Sequence, residues 1–82
     1  MRIRVDCLGP SRQWFSRESF EVELPGAATT VGDVLARLAS ESSAFATRRA
    51  SVAVALGEEV VGLGHPLSEG ATLALIPPVS GG

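Results

Sequence analysis

Apolar and polar residues alternate along several short segments of this chain, and a period of two residues is typical of half-buried β-strands. In the first such segment Ile3, Val5 and Cys7 fall on one face, with arginine and aspartate residues between them. Glycine and proline residues end several of the segments, as turns require. The pattern predicts five strands, of which the fourth is short, over residues 2–8, 18–24, 51–56, 60–63 and 72–76.

A single longer segment has the helical period instead. Thr30 and Asp33 have the spacing of a capping box. In this motif the hydroxyl accepts a hydrogen bond from the backbone N–H of the third residue of the helix, and the carboxylate of that residue accepts from the N-cap backbone N–H. The apolar residues that follow recur every three or four positions and form one stripe, namely Val31, Val34, Leu35, Leu38 and Ala39. We predict a helix over residues 31–42.

The order strand, strand, helix, strand, short strand, strand predicts an α+β fold. One helix of this length covers one face of one sheet, so the expected architecture is a mixed sheet of four to five strands wrapped around it. In this β-grasp arrangement the first and last strands run parallel, side by side, and the helix lies between them in sequence. Residues 9–17 and 43–50 are predicted to be loops, with Phe45 of the second loop reaching the core.

Composition limits the chain to one small domain. It has 82 residues, of which 45% are hydrophobic and 20% charged, as in a globular protein of marginal stability. No apolar run approaches the roughly 20 residues that span a bilayer, and the charged N-terminal strand pattern is not a signal peptide. We therefore expect a cytoplasmic protein with no membrane contact.

Charge and residue types exclude several functions. A net charge of −2 with seven scattered arginines argues against a nucleic-acid partner. Cys7 is the single cysteine and His65 the single histidine, which leaves neither an internal disulfide nor a metal-ligand cluster. The sequence also has no recognisable catalytic set and no phosphate-binding glycine-rich loop. We expect no metal and no bound cofactor.

The end of the chain has a composition of its own. After the last predicted strand come Pro77, Pro78, Val79, Ser80, Gly81 and Gly82. Six extended residues reach roughly 20 Å, and the two prolines would hold the start of that reach extended. Two glycines can enter a slot too narrow for any other pair. We therefore expect a domain over residues 1–76 and a flexible tail over 77–82 that enters another protein's active site.

The terminal carboxylate is the one group that the tail would deliver. A free α-carboxylate has a pKa of about 3.5, so it is ionised at neutral pH and inert to nucleophiles. It must be activated by another enzyme, and we expect an acyl-adenylate made from ATP. The adenylate could then accept sulfur or an amine.

The closing PPVSGG, preceded by HPLSEGATLALI and with TTVGDVLARLA as the helix, resembles the small subunit of molybdopterin synthase over essentially the whole chain. That family is a ubiquitin-like sulfur-carrier family. The resemblance implies that a ubiquitin-activating-type adenylyltransferase uses ATP to adenylate the Gly82 carboxylate, which a sulfur donor converts to a thiocarboxylate. It further implies that the tail enters the large subunit of molybdopterin synthase, in a heterotetramer of two small and two large subunits. There the sulfur passes to cyclic pyranopterin monophosphate.

Three residues outside the tail are candidates for contact with the partner. Leu8 and Ile76 are apolar residues at the C-terminal ends of strands whose faces are otherwise polar or small. The β-grasp pairing would place them together as an exposed patch at the root of the tail, extended by Val60 of the short strand, and such patches mark partner sites. In the family the corresponding positions are apolar and contact the partner.

A C-terminal Gly-Gly is shared with other proteins, so alternatives stay open. The same tail suits a sulfur carrier for thiamin, cysteine or tRNA thiolation. It also suits a protein modifier that is joined to lysines. A further alternative is a β-grasp interaction module whose tail does no chemistry.

Overall fold

The protein is a five-stranded mixed sheet with short and long helices packed on one face. A computed structural model describes residues 1–26 and 29–78. The strands in these residues are β1 (Arg2–Cys7), β2 (Ser19–Glu23), β3 (Ala53–Leu56), β4 (Glu59–Val61) and β5 (Thr72–Ile76). The helices are α1 (Ser11–Phe15), α2 (Val31–Glu41) and α3 (Ser43–Arg48), and a 3-10 turn follows at Arg49–Ser51.

The strand order is β2-β1-β5-β3-β4. β1 and β5 run parallel, with Cys7 opposite Leu75, and every other neighbouring pair is antiparallel. After β2 the chain leaves the sheet, forms α2 and α3 over one face of it, and returns to the sheet in β3. This is the β-grasp arrangement that the element order predicts, and all five predicted strands are present within two residues of their predicted bounds.

The core lies between α2 and the inward face of the sheet. The predicted helical stripe is buried at Val31, Val34, Leu35 and Leu38. Burying each such side chain contributes roughly 1.5–3 kcal/mol, which is the main source of stability in a domain of this size. The core residues are Ile3, Val5, Cys7, Val22, Leu24, Val31, Val34, Leu35, Leu38, Phe45, Val54, Leu67, Leu73 and Leu75.

The start of α2 is the predicted capping box. The Thr30 hydroxyl accepts from the Asp33 N–H at 3.3 Å, and the Asp33 carboxylate accepts from the Thr30 N–H at 3.0 Å. These bonds satisfy two backbone donors that the first turn of a helix leaves without partners. The helix ends at Glu41, one residue before its predicted end.

Two predicted loops are wrong, because each contains a short helix. Residues 9–17 include α1, and residues 43–50 include α3 and the start of the 3-10 turn. Both helices are held by aromatic packing: the Phe15 ring lies 5.0 Å from Phe20 and 5.7 Å from Phe45, and the Trp14 ring lies 6.1 Å from Phe45. Phe45 is fully buried, as predicted. Isolated helices of five or six residues do not persist in water, so this tertiary packing is what makes them form.

Candidate functional site

The tail begins where the C-terminal ends of β1 and β5 meet. The Leu8 N–H donates to the Leu75 carbonyl at 3.3 Å, so the two strand ends are adjacent, as predicted. Pro77 and Pro78 follow β5 without regular structure. A Cβ added at Gly9 would lie 3.9 Å from Cγ of Pro77, so the tail leaves the sheet directly over the turn after β1. The remaining predicted tail residues, Val79, Ser80, Gly81 and Gly82, lie outside the described residues.

Beside the tail, the outward face of β3, β4 and β5 carries small and aliphatic residues, whereas the same face of β1 carries Arg4 and Asp6. In the registers of β3, β4 and β5, Ala55 lies opposite both Ala74 and Val60, and Ala53 lies opposite Ile76. These residues alternate with the inward-facing residues of the same strands, so they share the face away from the helices, on which Ala55 is nonetheless buried. We call this surface the outward apolar face, and it comprises Leu8, Ala53, Ala55, Val60, Ala74 and Ile76.

The three predicted contact residues are not equally accessible. Val60 is 70% exposed and Leu8 is 47% exposed. Ile76 was also expected to be exposed, but it is half-buried, because β5 is a central strand with neighbours on both sides. Leu63, just after β4, is a further large apolar residue that is 59% exposed, and the strand pattern assigned it no role. The outward apolar face therefore has two exposed aliphatic side chains, Leu8 and Val60, and between their strands the less exposed Ile76.

A cavity lies on the other side of the tail root. We call this cavity, which has a volume of about 230 Å³, the tail-root pocket. Its lining residues are Pro10, Trp14, Arg48, Ser51, Pro77 and Pro78. The sequence pattern missed Trp14 and Arg48 as site residues because it placed both in loops. The available signals were a single tryptophan and the adjacent pair Arg48 and Arg49, which the sequence pattern interprets as solvated loop charges.

Arginines and carboxylates are paired over much of the surface. Arg2, Arg4, Arg12 and Arg37 each have a carboxylate oxygen within 4.0 Å. All of these pairs are exposed, so each contributes little to stability. The arginines without such a partner among residues 1–26 and 29–78 are Arg17, Arg48 and Arg49.

Cys7 is not arranged as a nucleophile. Burial raises the pKa of its thiol above the ordinary value, the neighbouring Asp6 carboxylate raises it further, and Arg17 partly offsets both. The thiol is therefore protonated at neutral pH, whereas the thiolate is the reactive form. Within the part of the chain that the structure describes, no three His, Cys, Asp or Glu residues are grouped as metal ligands. No helix there is long and apolar enough to cross a bilayer.

Comparison with known proteins assigns most of the chain to one family. The model of the ThiS family matches residues 9–82, which run from the turn after β1 to the two glycines. This chain belongs to the ThiS family. The ThiS-family assignment agrees with the resemblance drawn from the tail and the helix, and it makes the chain a ubiquitin-fold protein of the sulfur-carrier type.

Solved structures share the fold over the whole length of this ThiS-family protein. SAMP1 from Haloferax volcanii is 27% identical, with a TM-score of 0.86 and 100% of both chains covered. The complex BexX/CysO from Amycolatopsis orientalis contains a chain that is 25% identical, with a TM-score of 0.73, covering 98% of this chain and 99% of that one. A complex of subunits 1 and 2 of the molybdopterin-converting factor from Helicobacter pylori contains a chain that is 24% identical, with a TM-score of 0.70 and 100% of both chains covered. Two of these three structures are complexes, one of BexX with CysO and one of subunit 1 with subunit 2 of the molybdopterin-converting factor.

Proposed function

We propose that this ThiS-family protein is the sulfur carrier of molybdenum cofactor biosynthesis, acting in the cytoplasm as the small subunit of molybdopterin synthase. The observation that carries the proposal is the position of the tail. Pro77 and Pro78 leave the sheet between the outward apolar face and the tail-root pocket, so a protein that binds either surface lies where the last four residues reach. Those residues span up to about 14 Å when extended.

The reactive atom in this proposal is the carboxyl carbon of Gly82. A ubiquitin-activating-type adenylyltransferase joins the carboxylate to the α-phosphate of ATP and releases pyrophosphate. Sulfur from a donor then displaces AMP, so one carboxyl oxygen leaves with AMP and the product is a thiocarboxylate. The thiocarboxylate donates its sulfur to cyclic pyranopterin monophosphate in the large subunit. The chain binds no cofactor in these steps, since ATP is bound by the activating enzyme.

The outward apolar face would bind the large subunit. Full burial of an aliphatic side chain contributes roughly 1.5–3 kcal/mol, so covering the exposed parts of Leu8 and Val60 would contribute about 1–2 kcal/mol each. Ile76, which is half-buried already, would contribute less. Two such anchors beside a tail that enters a slot agree with the usual pattern of a few energetically dominant interface residues.

Intact-mass measurement tests the chemistry. Incubation with ATP, the activating enzyme and a sulfur source should increase the mass by about 16 Da, since oxygen is replaced by sulfur. A variant that lacks Gly81 and Gly82 should show no increase while it keeps the circular dichroism spectrum of the full chain. A matched control, Ser80→Ala, should be modified like the original protein. No mass change in the original protein would refute a sulfur-carrier role.

The partner decides the pathway. Purified large subunit of molybdopterin synthase should bind the chain as an assembly of two small and two large subunits, and thiazole synthase should not. Leu8→Ala and Val60→Ala should each weaken that assembly about fivefold or more, by the burial argument above. Binding to thiazole synthase alone would assign the protein to thiamin synthesis instead.

A protein modifier is the second candidate, and the similarity to small archaeal modifier protein 1 favours it. In that role the activated Gly82 carboxyl would be attacked by a lysine amine of another protein, and an isopeptide bond would form with release of AMP. The chain has seven arginines and no lysine, so one copy of it cannot be joined to a lysine of another copy. Isopeptide-linked adducts of the chain in cell extract would support this role, and their absence would oppose it.

A further inference from the structure

The tail-root pocket combines an apolar floor with one cation. Pro10, Trp14, Pro77 and Pro78 supply ring surfaces, and Arg48 supplies the guanidinium. The cavity lies against the first two residues of the tail, so any protein that grips the tail near its root meets this surface. A site with this composition fits an acidic side chain that has an apolar stem or neighbour.

Arg48 is held in position before any partner binds. Its guanidinium carbon lies 5.8 Å from the centroid of the Trp14 ring, within the range of a cation–π contact. Its Nη1 donates to the Ala44 carbonyl at 3.1 Å. A guanidinium has five N–H donors, so one bond to a carbonyl leaves others for a ligand. The contacts orient the group without neutralising it.

Trp14 is itself fixed to the rest of the fold. Its ring packs on the buried Phe45 ring, and its carbonyl accepts from the Ser42 hydroxyl at 2.8 Å. The pair of Trp14 and Arg48 therefore joins α1 to α3 directly beside the tail. An arginine that is oriented in advance loses less side-chain freedom on binding, which favours its use in recognition.

Among residues 1–26 and 29–78, no carboxylate lies close enough to Arg48 to form an ion pair with it. No Asp or Glu oxygen of the described residues lies within 4.0 Å of it, whereas Arg12, near the other side of the Gly9 turn, pairs with Glu18 at 3.9 Å. The whole protein is acidic, with a net charge of −2, and Arg48 is the arginine that lines the tail-root pocket. A cation at this position provides charge complementarity for an acidic partner.

We propose that the tail-root pocket is a second docking site, at which Arg48 pairs with an Asp or Glu side chain of the adenylyltransferase that activates the tail. This inference rests on the proposed function, because it assumes that the tail is adenylated. The activating enzyme is the partner common to every pathway that uses the Gly82 carboxyl. Gly82 is the fourth residue after Pro78, so Arg48 meets the entrance of the enzyme's slot and not the nucleotide at its end.

The absence of lysine in the chain allows a direct test. In the variant Arg48→Lys, the introduced amine and the N-terminal amine are the only primary amines of the protein. A water-soluble carbodiimide joins an amine to a carboxylate in ion-pair contact, forming an amide bond while the carboxylate oxygen leaves in the urea. The reagent is applied to the complex of the variant with the purified activating enzyme. Proteolysis and mass spectrometry then identify the joined residues.

Arg17→Lys is the matched control. Arg17 is also exposed, also lacks a carboxylate within 4.0 Å among the described residues, and also lies over an aromatic ring, 5.1 Å from the centroid of Phe20. It lines a different cavity, whose walls include Glu21 and Glu41. The N-terminal amine is remote from the tail as well, since it donates to the Leu24 carbonyl at 2.6 Å beyond the end of β2.

The expected result is an amide between position 48 and an Asp or Glu of the enzyme, with at least tenfold less product from Arg17→Lys. Equal products from both variants, or none from Arg48→Lys, would overturn the proposal. A product with the large subunit of molybdopterin synthase but not with the activating enzyme would overturn it too.

Kinetics of adenylation give a second, independent readout. Arg48→Glu should raise the KM for the carrier about tenfold and leave kcat and the KM for ATP within twofold, because an exposed pair is lost and a repulsion is added. Arg17→Glu should change each constant less than twofold. A higher KM for ATP would show that Arg48 meets the nucleotide instead and would overturn the proposal. If the original protein is not adenylated at all, both the proposed function and this inference fail. If Arg48→Glu is adenylated with the same constants as the original protein, only this inference fails.

Discussion

Ser42 connects the two helices that the sequence pattern did not predict, and its replacement by alanine tests how they are held. The residue is 8% exposed. Its hydroxyl accepts from the Phe45 N–H at 3.1 Å and donates to the Trp14 carbonyl at 2.8 Å. One side chain therefore caps α3 and ties α1 to the junction between α2 and α3.

The expected loss follows from these two bonds. Loss of the serine cap, which is the bond to the buried Phe45 N–H, costs about 1 kcal/mol, and leaving the partly buried Trp14 carbonyl unsatisfied adds about 1–2 kcal/mol. The free energy of unfolding should therefore fall by about 2–3 kcal/mol, out of roughly 5–15 kcal/mol for a whole domain. In a domain of this size 1 kcal/mol corresponds to about 4–8 °C, so Tm should fall by about 10–20 °C.

Thermal and urea unfolding, followed by far-ultraviolet circular dichroism and by Trp14 fluorescence, measure the effect. The control is Ser40→Ala on α2, because the Ser40 hydroxyl also donates to a carbonyl, that of Arg37 at 2.6 Å, but is exposed to water. That variant should stay within about 0.5 kcal/mol of the original protein. If Ser42→Ala is as stable as Ser40→Ala, the two bonds do not hold the helices and the reasoning is refuted.

Three further predictions concern the core, the thiol and a turn. Leu35→Ala, at a position only 1% exposed, should lower the free energy of unfolding by about 2–5 kcal/mol, whereas Leu63→Ala should change it by less than about 0.5 kcal/mol; equal urea midpoints would contradict the assigned core. Cys7 should resist iodoacetamide at neutral pH until the protein unfolds. Rapid labelling of the folded protein would contradict this. Because the pKa of the thiol is raised in the folded state, the free energy of unfolding should fall as pH rises above the pKa of the unfolded thiol. Gly57→Ala places a side chain at a φ of +67° in the turn between β3 and β4 and should cost about 1 kcal/mol by urea unfolding, whereas Gly62→Ala should be nearly neutral.

The regular elements with a strong local period were predictable from the sequence. β1 and α2 show this best, because Ile3, Val5 and Cys7 alternate in one and the capping box of Thr30 and Asp33 starts the other. Alternation and capping depend on residues a few positions apart, so a sequence contains them in full. The order of these elements then leaves few ways to cover one sheet with one helix, which is why the β-grasp topology could be predicted.

The candidate site was predictable only in part. Leu8 and Val60 stand out as aliphatic residues on small or polar strand faces, and both are exposed in the structure. Ile76 has the same local pattern but is half-buried, because its exposure depends on the strands on either side of it. Sequence identifies which face a strand residue occupies, whereas its accessibility is set by its neighbours in the sheet.

The tail root itself was determined by tertiary structure. The sequence alone determined that a tail with two prolines and two glycines follows the last strand, since that is a matter of residue order. It did not determine that Trp14 and Arg48 line the same pocket as Pro78, because these residues are separated by tens of positions along the chain. Their helices are too short to form alone and exist because Phe15, Phe20 and Phe45 pack together. Contacts of that kind depend on the whole chain folding around one core, so no local pattern contains them.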